Sequence, residues 1–205
     1  MIALSVGFTF SLTGLRIYLT GDTHYGNYYW NTLLALIPLF AANRLASRDK
    51  TDIKAVILFF IWLIFFPNAP YLVTDLIHFK PEPQFSKWAD ILLVTSASWN
   101  GVLLGAISML KVENFISRHF RKPIVYSFIL ISIFLCGYGI YLGRFLRYNS
   151  WDIVVRPVAL STDLLSTIFL PHHHTRTWMF TILFGMMFGI FYFTIKHLAT
   201  NKEKL

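Results

Sequence analysis

Six nearly unbroken apolar stretches, separated by short polar turns, decide what this chain can become. They lie at residues 2–19, 28–46, 54–66, 91–110, 123–142 and 178–198. A membrane-crossing helix needs roughly 20 mostly apolar residues. Inside lipid every backbone N–H and C=O must find a partner within the protein, and a continuous apolar run meets that condition as a helix. Only 14% of the chain is charged, against about 25% in an ordinary soluble domain. The expectation is an all-α, polytopic membrane helical bundle of about six transmembrane helices, forming a single integral domain over residues 1–205. The first stretch lacks a basic leader and a small-residue cleavage site, so it is expected to be retained as a span.

The formal net charge is +8. In a soluble protein that excess would suggest nucleic acid. Here the bases crowd the loops between apolar runs, so they report orientation, and no nucleic-acid partner is expected. The loop after the second span, the loop after the fourth and the C-terminal tail share one side. That side holds 11 of the 18 basic residues and 4 of the 10 acids, a net of +7, against +1 for the other side. Positive charge stays inside, which places both termini in the cytoplasm of a bacterial cell membrane. Tyr25, Tyr28, Tyr29, Trp30, Trp88, Tyr148, Trp151 and Trp178 then form an aromatic belt at the outer face. The lone Cys136 excludes an intrachain disulfide and a cysteine-based structural metal site.

The third stretch is unusual. Its apolar part stops at Phe66, and thirteen helical residues reach about 20 Å, roughly 10 Å short of crossing the hydrocarbon core. The chain continues Pro67-Asn68-Ala69-Pro70-Tyr71-Leu72-Val73-Thr74-Asp75-Leu76-Ile77-His78. Each proline removes a backbone donor and disfavours helix at the residue before it. The third helix is therefore expected to be broken at Pro67 and Pro70, with freed backbone groups buried in protein or lining a wet cavity. Between spans five and six, residues 151–170 are too interrupted by Asp152, Arg156, Pro157 and Asp163 to cross. Short helices on the outer surface are expected there, with Ser161 or Asp163 as a cap.

Gly101/Gly105, Gly139/Gly143 and Gly185/Gly189 repeat a four-residue spacing in three successive spans. Such spacing lets helix backbones approach closely. Packing within the bundle is the plain reading, and a homo-oligomer or membrane partner docking on these small-residue faces is the sharper one.

Polar residues at membrane depth are functional candidates. Asp75 and His78 are three apart on one helical face, where a carboxylate can orient an imidazole acting as general base. These two are the candidate catalytic residues. Asn68, Tyr71, Thr74, Asn100, Arg144, Arg147, Asn149 and Asp152 are the candidate ligand-binding residues. Arg144 and Arg147, three apart, would share a face suited to phosphate or carboxylate. The alternatives stay open. Asp75 can cap the helix after the break, Asn100 can make an interhelical hydrogen bond, and the arginines can pair with lipid headgroups, Asp75 or Asp152. A zinc site would need His172, His173 and His174 as well; their spacing is not a known zinc signature, and no metal site or cofactor is assigned.

The run Phe66–His78 resembles the hallmark of a bacterial family of multi-pass membrane proteins known as domain of unknown function 1361. Trp99-Asn100-Gly101 and Tyr141-Leu142-Gly143-Arg144-Phe145-Leu146-Arg147-Tyr148-Asn149-Ser150-Trp151-Asp152 resemble its two other marked stretches. The resemblance implies a membrane class and one functional unit built from three stretches. It implies no activity. The expected function is an outward-facing polar pocket that binds or acts on a lipid-linked or envelope substrate. A non-catalytic membrane scaffold or partner subunit is the alternative, and a small-solute transporter or channel the second.

Overall fold

The computed structural model describes residues 1–78 and 87–202, and the side chains of His24, His78 and Lys202 lie outside the described residues. Helix accounts for the regular structure, and no strand occurs among the described residues. The elements are α1 Ile2–Thr20, α2 Asn27–Ala46, α3 Ile53–Phe65, α4 Asn68–Tyr71, a 3₁₀ segment Leu72–His78, α5 Lys87–His119, α6 Lys122–Arg144, α7 Asp152–Val155, α8 Pro157–Phe169, a 3₁₀ turn Pro171–His174 and α9 Thr175–Lys202. This is an all-α polytopic membrane protein. Five segments are long and apolar enough to cross a bilayer: Ile2–Thr20, Ile53–Ile77, Lys87–His119, Lys122–Arg144 and Pro171–Asn201. The remaining expected span, α2, has the length, about 30 Å, but is diluted by Asn31, Thr32, Asn43 and Arg44. It is also the helix with protein on several sides, burying Thr32, Ala35, Pro38, Leu39, Ala41, Ala42 and Leu45. A helix enclosed this way needs less apolar surface than one facing lipid all round.

Two expectations change in extent. The fourth span does not end at Leu110 in a basic loop; α5 continues to His119, 33 residues in all. Val112, Phe115 and Ile116 are buried along that extension, so an amphipathic face carries the helix on after the hydropathy falls. The cap expected at Ser161 or Asp163 is also wrong. Arg156 precedes α8, whose first residue is Pro157, a residue suited to that position because its missing N–H would have no helical partner.

The chain divides into two compact units, Met1–His119 and Phe120–Leu205. In the first, α2 and α5 lie side by side, α1 runs along α5, and the α3–α4 path packs on both α2 and α5. Gly101 sets the closest approach. A Cβ there would collide with the backbone carbonyl of Ala69 and stand 2.9 Å from the Cβ of Leu72, so only glycine lets α5 lie against the start of the 3₁₀ segment. Trp62 is fully buried, stacks on Phe66 with centroids 4.6 Å apart, and donates its indole N–H to Ser108 Oγ at 3.2 Å. At the other end of this unit Asp52 caps α3 by accepting from the Ala55 N–H at 3.0 Å and pairs with Arg48. The Ala55 bond first, then Arg48, hold its carboxyl below the usual range.

In the second unit α6 and α9 pair antiparallel. Of the close contacts expected among spans four, five and six, the one between five and six is present, and Gly137 makes it on α6. A Cβ on Gly137 would strike the Thr181 carbonyl and stand 3.3 Å from Gly185 N. Gly185 and Gly189 face Ile133 at ordinary distances of 3.4 and 3.5 Å. The expected short helices between spans five and six are α7 and α8, and the 13 residues of α8 are too few to cross. Both units leave large apolar side chains exposed, among them Leu4, Phe60, Ile124, Leu130, Met186 and Ile190. On a protein in water such surface would aggregate; against lipid it is the matching solvent.

Candidate functional site

The third span is interrupted in its hydrogen bonding and not in its course: Phe66, Pro67 and Leu72 keep right-handed helical backbone angles, and the path Ile53–Ile77 is long enough to cross, so the shortfall expected at Phe66 is not seen. Pro67 and Pro70 supply no N–H, so the α-helical bonds to the Leu63 and Phe66 carbonyls cannot form. The chain reroutes instead of unwinding. Ala69 N–H bonds to Phe66 O at 3.2 Å, Tyr71 N–H bonds to Pro67 O at 3.0 Å, and the backbone then tightens into seven residues of 3₁₀ helix. Phe65 O, which Ala69 would have served in an unbroken helix, accepts from the Asn68 side-chain amide at 3.1 Å. Leu72 O accepts from Ser98 Oγ of α5 at 3.3 Å, and the Thr74 hydroxyl donates to Tyr71 O at 2.6 Å. Protein groups therefore serve the Phe65, Phe66 and Leu72 carbonyls where the sequence anticipated either protein or water.

Thr74 is buried, and Asn68, Tyr71 and Asp75 are half-buried. Asp75 and the final residue of the 3₁₀ segment, His78, are three apart. In a 3₁₀ helix that spacing eclipses, which is stricter alignment than the α-helix expected from the sequence. The His78 side chain lies outside the described residues.

Asn100 makes an interhelical bond, one of the two readings its position allowed. Its Nδ2 donates to Thr9 Oγ1 at 2.8 Å and to Ser5 O at 3.1 Å, and the Thr9 hydroxyl also meets Ser96 Oγ. Ser5, Thr9, Thr13 and Arg16 recur at helical spacing on α1, and the last three are fully buried. This seam ends in a feature that sequence reasoning missed. Arg16 is wholly buried, and its Nε donates to Asp90 Oδ1 of α5 at 2.8 Å, with Asp90 equally buried. The Tyr25 ring lies 3.4 Å from the guanidinium carbon, and Asp22 Oδ2 lies 3.4 Å from Nη1. Asp90 Oδ2 is buried with no hydrogen-bond partner among the described residues. The available signal was the polar stripe on α1, aligned every three or four residues with an arginine at its end.

The second unit holds the remaining candidates. Arg144 closes α6 and is half-buried. Arg147 does not share a helical face with it, because the helix has already ended and Arg147 sits in the left-handed region at φ 59°. A bulky residue rarely adopts that conformation. The turn is held on both sides: Tyr148 N–H bonds to Leu142 O at 3.1 Å, and Asn149 N–H bonds to Asp152 Oδ2 at 2.6 Å. Arg147 is exposed and makes no hydrogen bond or ion pair among the described residues, and Asn149 is exposed beside it.

Asp152 is buried, and its ion-pair partner is neither Arg144 nor Arg147. Arg156 Nε and Nη2 donate to its two oxygens at 2.9 and 2.8 Å. These bonds, and then the Asn149 N–H, pull its carboxyl down to about 2. The Tyr148 hydroxyl donates to Asp163 Oδ2 of α8 at 2.8 Å, and that bond raises its ionisation above the ordinary phenol value. The result is a hydrogen-bonded frame beside Arg147, whose guanidinium pairs with nothing among the described residues.

His172, His173 and His174 lie on a short 3₁₀ turn, with the first two rings 4.7 Å apart. No three His, Cys, Asp or Glu side chains among the described residues come together as metal ligands. Comparison with known families matches residues 30–191 to the family described as Protein of unknown function (DUF1361). No curated protein and no solved structure matches the chain.

Proposed function

We propose that this chain, which belongs to the family Protein of unknown function (DUF1361), binds the anionic group of a lipid-linked or envelope substrate at the outer face of a bacterial cell membrane. Both termini would lie in the cytoplasm, as the distribution of basic residues favours. Arg147 would be the receptor, flanked by Arg144 and Asn149, with Asp152 framing the turn. The observation that supports this reading most is the conformation of Arg147. A left-handed arginine is strained by about 1–2 kcal/mol, and its guanidinium engages nothing among the described residues. Strain kept by a surrounding hydrogen-bonded frame is a mark of functional positions. An arginine suits phosphate or carboxylate through two parallel N–H bonds. Separately, within the first unit, Asp75 and His78 would supply an orienting carboxylate and a general base.

The test is binding of phosphatidylglycerol against phosphatidylcholine to the purified protein, by native mass spectrometry. Arg147→Gln is expected to weaken phosphatidylglycerol about tenfold, roughly 1.4 kcal/mol, with unfolding temperature unchanged or raised. Equal affinity in wild type and variant would end the proposal.

A second reading has its own support. Asn68, Thr74, Ser98 and Asn100 all direct hydrogen bonds to neighbouring backbone or helices. That pattern suits a non-catalytic scaffold in which the first unit's polar groups hold helices together. Alanine at Asp75 or His78 separates the two: lost activity in a folded protein supports chemistry, and lost folding supports the scaffold.

A further inference from the structure

Between α6 and α9 runs a groove of about 580 Å³, walled by Leu130, Phe134, Ile182 and Met186, with Gly185 and Gly189 along its floor. It follows α9 from Thr181 to Thr194, about 20 Å at 1.5 Å per residue. An apolar slot on a membrane helix pair is unremarkable by itself. Two further observations give this one an occupant.

The first is Thr181, at the end nearer the start of α9. It lines the groove and is fully buried, and its hydroxyl has no hydrogen-bond partner among the described residues. A helical threonine normally donates back to the carbonyl four residues earlier, as Thr194 does to Ile190 O at 2.8 Å. Thr181 does not, so a buried donor borders the groove without an acceptor.

The second is charge. Neither α6 nor α9 contains an acidic residue, and Arg176 and Arg144 stand beyond Thr181 at that end. Arg176 is five residues from Thr181, about 7.5 Å along the helix. An apolar slot, a buried donor at one end and a cationic rim about 7.5 Å further along match, in order, an acyl chain, an ester carbonyl and a phosphate.

We propose that the α6–α9 groove holds one acyl chain of an anionic glycerophospholipid, with the Thr181 hydroxyl donating to the ester carbonyl. The proposal rests on the function above only in placing the anionic group at the same end of α6. It adds the chemical class of the ligand and the seat of its tail.

The full-length protein in phosphatidylcholine nanodiscs, doped with phosphatidylglycerol carrying a diazirine on its acyl chain, provides the test. Photolabelling is expected to concentrate on groove residues over other lipid-facing positions such as Phe60 and Ile61. Gly189→Leu projects into the slot from a position where a Cβ meets only the Ile133 side chain, at 3.5 and 3.8 Å, and should cut groove labelling about fivefold or more. Wild type should retain the diester lipid about threefold better than its diether analogue, and Thr181→Val should erase that preference. Even labelling over the whole apolar surface, labelling unchanged in Gly189→Leu, or disulfide-linked dimers formed through Gly189→Cys would overturn the proposal. Failure here with phosphatidylglycerol selectivity still dependent on Arg147 would leave the proposed function standing. The reverse outcome, selectivity lost and the groove still labelled, would leave the tail site standing alone.

Discussion

Arg16 on α1 and Asp90 on α5 form an ion pair at 2.8 Å with neither side chain exposed. They are 74 residues apart in the chain, and Arg16 lies outside the stretch that defines the family match. The pair ties the first helix to the rest of its unit. The stacked Tyr25 ring adds a cation–π contact.

Breaking this pair leaves a buried charge uncompensated. Asp90→Leu or Arg16→Met alone should destabilise the protein by about 3–5 kcal/mol, while the double substitution should recover most of the loss. Thermal unfolding in one detergent, read across all four proteins of the cycle, measures this. Single variants as stable as wild type would show that the pair contributes nothing.

Gly101 separates packing from propensity. Gly101→Ala should raise helix propensity yet lower stability by about 1–3 kcal/mol, because the new methyl group meets the Ala69 carbonyl. Gly189→Ala, where the nearest atom is a side-chain methyl at 3.5 Å, should be neutral or slightly stabilising. Unfolding temperatures that fall equally in both variants would contradict the assigned close approach.

Acid should loosen the connection between α6 and α8. The Asp152 carboxyl is held at about 2, chiefly by Arg156 and then by the Asn149 N–H. A carboxyl depressed in the folded state contributes stability in full above its ordinary value near 4, and loses it as pH falls towards 2. Backbone amide exchange at residues 148–156 should therefore accelerate between pH 4 and pH 2 in wild type. Asp152→Asn should show fast exchange already at neutral pH and no further acid step. A wild-type profile flat across that window would rule out the frame.

Arg147 should show opposed effects on stability and function. Arg147→Gly removes the left-handed strain and is expected to stabilise by about 1 kcal/mol. The same change deletes the guanidinium, so phosphatidylglycerol selectivity should fall. A loss of both stability and selectivity would mean that the side chain is structural.

Much of the architecture is legible in the residues alone. Hydropathy located the spans because lipid imposes its demand segment by segment. Pro67 and Pro70 located the interruption because the missing donors are properties of two residues. The short helices after Arg144 followed from charges that no bilayer crossing would tolerate. All of these are local consequences of covalent chemistry in a known solvent.

Which polar groups meet was decided by the tertiary structure. Asn100 finds Thr9, Asp90 finds Arg16, Gly101 meets the Ala69 carbonyl, and Asp152 chooses Arg156 over Arg144 and Arg147. Each pairing depends on how far a helix is rotated about its axis, or on where it stops. A shift of one residue turns an α-helix by about 100°, so composition and spacing leave the partner open until packing selects a face.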